Sequence, residues 1–194
     1  MWSKTRKALN DRLADCLKNR VNYNFMVYTS TPYKWCTEMP VFYIHVDKKT
    51  WFASNPMFYS AAGEYMNEHM NYDLSGDEYW QEYYAKDRDA GLYAIRETGM
   101  VDIYKLMPRI HIYINEINIH DAINGDDYFY RMLAIMDRRI GKRSIKKLLD
   151  NIENEPLWIK KYIYLRAGAE GLIPTIDSQT LLKTERIQKN DSTN

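Results

Sequence analysis

The sequence lacks the features of several familiar protein classes. Two cysteines, Cys16 and Cys36, in 194 residues give no disulfide framework, which excludes the disulfide-dense scaffolds. No apolar run approaches the length of a transmembrane helix. The charged N-terminus is not followed by an apolar segment, so we expect no signal peptide. These absences predict a cytoplasmic protein with reduced thiols and no membrane contact.

Motifs that carry chemistry are also missing. There is no Gly-x-Ser-x-Gly nucleophile turn, and Gly141-Lys142 is not a P-loop, because Met136 occupies the position of the required first glycine. The histidines show no metal-binding spacing such as His-Glu-x-x-His; they are His45, His69, His111 and His120. We therefore predict no catalytic residue, no metal and no cofactor. An unrecognised enzyme is an alternative, and it requires a deep pocket with titratable groups of shifted pKa.

The composition is that of a globular domain with unusual aromatics. Hydrophobic residues make up 45% and charged residues 27%, which is close to ordinary globular usage. Seventeen tyrosines and five tryptophans outnumber five phenylalanines, and their polar tips favour half-buried surfaces and interfaces. We predict that residues 1–182 form a single domain and that residues 183–194 form a polar, disordered tail.

Charge is segregated along the chain although the net charge is only +1. Residues 1–20 contain six basic and two acidic residues, and residues 137–147 contain six basic and one acidic. Residues 64–90 contain eight acidic and two basic residues. Such blocks are usually solvated faces that balance one another within the fold.

The hydrophobic pattern predicts an α+β fold. An amphipathic helix over residues 2–18 is followed by alternating strands at residues 21–28, 41–46 and 50–53, with a brief further pairing at residues 35–37. A small antiparallel sheet of three or four strands results.

A C-terminal helical region follows from residue 57. Its first part contains two acidic helices over residues 57–70 and 77–90, and Gly99 is a good helix stop. In the next segment Ile110, Ile112 and Ile114 alternate as in a strand, but the stripe from Ile103 to Ile117 is longer and favours a helix with Asp102 as its cap.

Two basic groups are candidates for an anion site. Arginine and lysine side chains close to a helix N-terminus can hold a phosphate, and one group straddles the Gly141 turn between two predicted helices. A DNA-binding helix-turn-helix is disfavoured there, because Asp137 stands where a small residue is needed. The candidate residues are Arg138, Arg139, Lys142 and Arg143, with Lys4, Arg6 and Lys7 of the N-terminal helix.

Three stretches resemble a family of small uncharacterised bacterial proteins with no assigned activity. They are MWSKTRK at residues 1–7, LAIMDRRIGKR at residues 133–143 and LRAGAEGL at residues 165–172. The resemblance implies a single domain and no mechanism. It also implies that the basic residues and Asp137 serve a common purpose, either an intramolecular network, such as Arg139 with a carboxylate, or a common anionic ligand.

The leading functional hypothesis is a non-enzymatic protein-interaction or self-association domain that uses tyrosine-rich and charge-segregated surfaces. Its partner is an unknown protein or a second copy of the chain, and it requires one contiguous exposed aromatic patch. The alternative is binding of nucleic acid or another phosphate-bearing ligand through residues 138–147.

Overall fold

The computed structural model describes residues 2–26, 41–54, 58–101, 105–175 and 180. Within these ranges the protein has the predicted α+β fold, with an N-terminal helix, an antiparallel sheet and C-terminal helices. The helices are α1 (Trp2–Arg12), α2 (Phe58–His69), α3 (Gly76–Thr98), α4 (Leu106–Asn115), α5 (Ile119–Asn124), α6 (Tyr128–Met136), α7 (Lys142–Asp150) and α8 (Leu157–Ala169). The strands are β1 (Val21–Met26), β2 (Val41–Val46) and β3 (Lys49–Ala53), and short 3-10 helices span Asp15–Leu17 and Ile152–Asn154.

Several predicted features lie outside the described residues. They are the pairing at residues 35–37 with Cys36, the Asp102 cap and the tail at residues 183–194. Within the described part of the chain, no helix is both long enough and apolar enough to cross a membrane.

The three described strands form an antiparallel sheet with β2 at its centre. Ile44 of β2 lies opposite Tyr23 on one side and Phe52 on the other. The β2–β3 hairpin turns through Asp47 and Lys48, whose φ angles are 48° and 66°. Positive φ at both central residues is what a two-residue type I′ turn requires. The two predicted strands at residues 41–46 and 50–53 are therefore joined by a tight hairpin.

The core lies between the sheet and the C-terminal helices. Phe42, Ile44 and Val46 alternate along β2 and are fully buried. Phe129 of α6 lies against this face, with ring centroids 6.3 Å from Phe42 and 6.0 Å from Phe52. Helices α6 and α8 bury residues on all sides, as expected of helices at the centre of a domain.

The N-terminal helix is shorter than predicted. It ends at Arg12 and not near residue 18, because the chain becomes extended to pair with the segment after α6. Leu13 forms a β-bridge with Asp137, and the Ala14 amide donates to the Met136 carbonyl at 2.9 Å. A helical continuation would forfeit this pairing, so the periodic pattern alone is misleading here.

Helix α3 is one continuous element of 23 residues that passes through the predicted end at residue 90. Gly99 ends it as predicted, with a left-handed φ of 68° and an amide that donates to the Ile95 carbonyl at 2.9 Å. A Cβ at Gly99 would lie 2.8 Å from Cδ2 of Trp158. The Trp158 indole also donates to the Arg96 carbonyl at 2.9 Å, so α8 is fastened to the end of α3.

The segment after residue 105 is helical, as the longer stripe predicts. Helix α4 buries Leu106, Ile110 and Tyr113 on one face. Pro108 lies in its first turn, where a backbone N–H has no intrahelical acceptor to lose. The strand-like alternation of isoleucines is therefore incidental.

Candidate functional site

Asp137, between α6 and α7, is the centre of a buried ion-pair network. Its side chain has no exposed surface. It accepts hydrogen bonds from Arg139, with Nε–Oδ1 at 3.0 Å and Nη2–Oδ2 at 2.8 Å, and from the Tyr113 hydroxyl at 2.6 Å. Arg12 Nη1 lies 3.9 Å from Oδ2, and the Arg12 and Arg139 guanidinium groups both lie over the Tyr113 ring. The network therefore joins α1, α4 and the α6–α7 connection.

The electrostatics of this network favour a structural role. Burial would raise the pKa of Asp137, but hydrogen bonds from Arg139 and Tyr113 outweigh it and lower that pKa below its ordinary value. Burial and the Asp137 charge raise the pKa of Tyr113 well above its ordinary value. Both groups are thus moved away from neutral pH, whereas a general acid or base works best with a pKa close to it.

Arg166 of α8 donates hydrogen bonds to the same α6–α7 connection. Its side chain is 3% exposed. Nη1 donates to the carbonyls of Ile135 at 3.3 Å and Asp137 at 3.2 Å, and Nη2 donates to the Ile140 carbonyl at 2.9 Å. Nε donates to Glu170 Oε1 at 3.0 Å. The five-donor fork of arginine suits this role, because several carbonyls are satisfied by one charge.

Glu170 links the predicted residue Lys142, and also Cys16, to this cluster. The Lys142 ammonium donates to its backbone carbonyl at 3.0 Å, and Cys16 Sγ lies 3.5 Å from its Oε1. Burial raises the pKa of the Cys16 thiol, so Cys16 is not an activated nucleophile. Arg166 and Glu170 were missed as functional residues. Their signal was an i, i+4 pair of opposite charges in an otherwise apolar stretch.

The seven residues of the predicted anion site divide into two groups. Arg139 and Lys142 have the intramolecular partners described above, and Lys7 lies 3.9 Å from Asp11 in an exposed pair. The other four make no ion pair within the described part of the chain: Lys4, Arg6, Arg138 and Arg143. The Arg138 amide donates to the Arg12 carbonyl, which is about 12 Å along α1 from Lys4. A shared anionic ligand stays a prediction.

Helix α7 carries a basic face. Ile145 is buried, and the solvent side presents Arg143, Lys146 and Lys147. Their i, i+3, i+4 spacing places the three cations on one side of the helix. None of the three forms an ion pair with another described residue. We refer to these three residues as the α7 basic face.

Helix α3 carries an exposed aromatic cluster. Tyr79, Trp80, Tyr83 and Tyr84 lie with neighbouring ring centroids 5.2–6.1 Å apart. Trp80 is 52% exposed and Tyr84 is 67% exposed. We refer to these four residues as the α3 ring cluster. Large aromatic side chains in contact with one another and with water are unusual on a surface without a partner.

The ring cluster lies on the first half of α3, where no side chain is fully buried. Burial in α3 begins only at Ala90, and the preceding residues 76–89 contain no buried side chain. Helix α3 packs on α2, where Tyr65 and Tyr93 lie 5.1 Å apart, and on α6. About 21 Å of helix therefore contributes no fully buried side chain to the core.

The acidic block around this helix is not neutralised by the basic blocks. Among the described residues, no ion pair joins the acids of residues 64–90 to the cations of residues 1–20 or 137–147. Five exposed acids have no ion-pair partner within the described ranges: Glu64, Glu68, Asp73, Asp77 and Glu78. The acidic and basic blocks are therefore solvated faces that form no ion pair with each other in the described part of the chain.

A polar cavity of about 970 Å³ lies between the end of α1 and the sheet. Lys18, Arg20 and Lys48 line it, but Arg20 binds Asp47 at 2.7 Å and Lys18 binds Asp15 at 2.6 Å. None of the seven predicted anion-site residues lines this cavity. In the described ranges, no group of three or more His, Cys, Asp or Glu side chains is arranged to hold a metal ion.

Comparison with known proteins identifies a family. Residues 1–167 match the SF0329 protein family, to which no activity is assigned. The chain matches no curated protein and no solved structure. The matched range contains the Asp137 network, the α3 ring cluster and the α7 basic face, and it confirms the resemblance to an uncharacterised family. Because the match covers most of the 194 residues, the chain belongs to the SF0329 protein family.

Proposed function

We propose that this chain is a protein-interaction domain and that the exposed half of α3 is its docking surface. The observation that carries the proposal is the α3 ring cluster, with Trp80 and Tyr84 half or more exposed on a helix segment that has no fully buried side chain. A cytoplasmic location in a bacterium is part of this proposal and rests on the sequence.

The chemistry of the surface favours a cationic partner. Asp77, Trp80 and Tyr84 are spaced i, i+3, i+7 and therefore share one side of α3. An ammonium or guanidinium group can lie over the electron-rich ring faces, and such contacts strengthen when water is displaced. The unpaired acids nearby attract the same partner over a longer range.

The size of the surface sets the expected affinity. A fully buried aromatic side chain covers about 150–250 Å², and the four rings are already partly covered by one another. They therefore offer on the order of 300 Å², well below the ~800 Å² per partner of a standard interface. We expect binding in the micromolar range and a marked weakening with salt.

The test is a titration with a defined probe. A fluorescein-labelled helical peptide rich in lysine and arginine, without aromatic residues, is titrated with the protein while anisotropy is measured. We expect micromolar binding to the wild type and at least tenfold weaker binding to a Trp80→Ala, Tyr84→Ala variant. This variant keeps the net charge, and alanine suits an exposed helix position.

Two controls isolate the ring cluster. Tyr72→Ala removes an aromatic side chain that is 56% exposed on the same helical hairpin but lies outside the cluster, and it should bind like the wild type. A peptide with glutamate in place of the basic residues should not bind. Equal binding of the cationic peptide to the wild type and the double variant, or no binding at all, would contradict the proposal.

A second candidate function is binding of nucleic acid or another phosphate-bearing ligand. It is supported by the α7 basic face and by Arg138, whose charges have no ion-pair partner in the described structure. Anisotropy with labelled single- and double-stranded DNA and RNA over a salt series tests it, with an Arg143→Ala, Lys146→Ala, Lys147→Ala variant as comparison. Binding that falls steeply with salt and is lost in the variant supports this function.

A further inference from the structure

We infer that the cationic partner of the α3 ring cluster is the α7 basic face of a second copy of this chain. The inference rests on the proposed function, because it names the occupant of the same docking surface. It also gives a role to the α7 basic face, which has no partner within the described fold.

The first support is charge complementarity within one sequence. The acidic block at residues 64–90 and the basic block at residues 137–147 differ strongly in sign. Neither is neutralised by the other inside the described fold, because their recorded ion pairs are formed with other residues. Two copies can bring the blocks together, and electrostatic attraction then orients the encounter.

The second support is the match in dimensions. Helix α7 has nine residues and is about 14 Å long, so it is shorter than the roughly 21 Å of α3 that carries the ring cluster and has no fully buried side chain. Its cations span i to i+4, as do Trp80 and Tyr84 on α3. Both pairs of side chains are therefore about 6 Å apart along their helix axes, and two cations can face two rings at once. Asp150 is the only acidic residue of α7, at its far end.

Each copy offers one α3 surface and one α7 surface. Two copies can close a two-fold dimer through two α3–α7 contacts, and head-to-tail contacts can generate larger rings or growing chains. A single contact is small, and the association should therefore depend on protein concentration in the micromolar range and weaken with salt.

The test is sedimentation velocity over a series of protein concentrations at low and high salt. Four forms of the full chain are compared after far-UV circular dichroism has shown that each is folded. They are the wild type, the α3 variant Trp80→Ala, Tyr84→Ala, the α7 variant Lys146→Glu, Lys147→Glu, and the control Lys4→Glu, Arg6→Glu. The control changes the net charge as much as the α7 variant does, on the exposed basic surface of α1.

The expected result has three parts. The wild type and the α1 control show a sedimentation coefficient that rises with concentration at low salt. The α3 variant and the α7 variant each remain monomeric. An equimolar mixture of these two variants forms a species of two copies, because one intact α3 surface meets one intact α7 surface and growth stops there.

Several results would overturn the inference. A wild type that stays monomeric at all concentrations excludes self-association. A mixture that stays monomeric, with a wild type that associates, shows that an intact α3 surface does not bind an intact α7 surface. If the α1 control loses association as much as the α7 variant does, the attraction is non-specific electrostatics. If nuclease treatment abolishes association, nucleic acid bridges the copies. Binding of the cationic peptide to monomeric protein would keep the proposed function while rejecting the second copy as its partner.

Discussion

Replacement of Asp137 by asparagine tests the buried network most sharply. The change removes one negative charge and retains the side-chain volume. Arg139 and Arg12 then lose their shared carboxylate, and the Tyr113 hydroxyl loses a charged acceptor. Removal of one partner from a buried ion pair usually costs about 3–5 kcal/mol, because the other charge stays unpaired.

The partial exposure of the two arginine partners reduces this energetic cost. The side chains of Arg139 and Arg12 are 34% and 24% exposed, so water can compensate part of their loss. We expect Asp137→Asn to lower the free energy of unfolding by about 2–3 kcal/mol at neutral pH. With an m-value of about 2 kcal/mol/M for a chain of this size, the midpoint of urea unfolding should fall by about 1–1.5 M.

The pH dependence gives a second, independent signature. The pKa of Asp137 is lowered in the folded state, so its contribution is present above the unfolded carboxyl pKa of about 3.9 and is lost as the pH falls through the lower folded value. The difference in unfolding free energy between wild type and variant should therefore be full at neutral pH and shrink below about pH 4.

The matched control is Asp15→Asn, the same chemical change at a carboxylate that is 86% exposed and paired with Lys18. Because its carboxylate is exposed to water, Asp15→Asn should leave the midpoint of urea unfolding close to that of the wild type. Our account of the network would be refuted by an Asp137→Asn variant as stable as the wild type at neutral pH, or by a stability difference that does not depend on acid pH.

Three further predictions concern the elements that hold the site. Tyr113→Phe should lower the free energy of unfolding by about 1.5–3 kcal/mol at neutral pH, measured with urea. Because the pKa of Tyr113 is raised in the folded state, the difference in unfolding free energy between wild type and variant should narrow above about pH 10, and a difference that widened there would contradict this prediction. Gly99→Ala should lower the thermal midpoint more than Gly76→Ala, since both positions have positive φ but only Gly99 would place its Cβ against Trp158; equal shifts would show that this close approach is unimportant. Arg166→Lys keeps the charge but loses the fork that reaches three carbonyls, so we expect a loss of about 2–3 kcal/mol in urea unfolding, and a change below about 0.5 kcal/mol would contradict the assigned role.

Much of the fold follows from local pattern, and the end of α1 is an exception with a clear physical cause. The alternation at Phe42, Ile44 and Val46 correctly predicts a strand, and Gly99 correctly predicts a helix end. The predicted end of α1 was wrong because Leu13 pairs with Asp137, a residue far along the chain. A periodic pattern contains no information about such a partner.

The types of residue that form the candidate site were predictable from the sequence, but their positions in the fold were not. The excess of tyrosine and tryptophan indicated aromatic surfaces, yet only the structure separates Trp80 and Tyr84, which are exposed, from Tyr113 and Tyr162, which are buried. The intramolecular use of Arg139 was one of the two expected alternatives. The role of Arg166 depends on carbonyls brought to it by the fold, and no spacing rule reveals them.

The central claim, that the α3 ring cluster is a docking surface, is tested most directly by fluorine NMR of protein labelled with 5-fluorotryptophan. The chain has five tryptophans, and a Trp80→Phe variant assigns the Trp80 signal. Addition of the cationic peptide should shift or broaden the Trp80 resonance while the buried Trp51 and Trp158 signals stay unchanged. If the peptide binds and the Trp80 resonance does not move, the docking surface lies elsewhere and the claim is wrong.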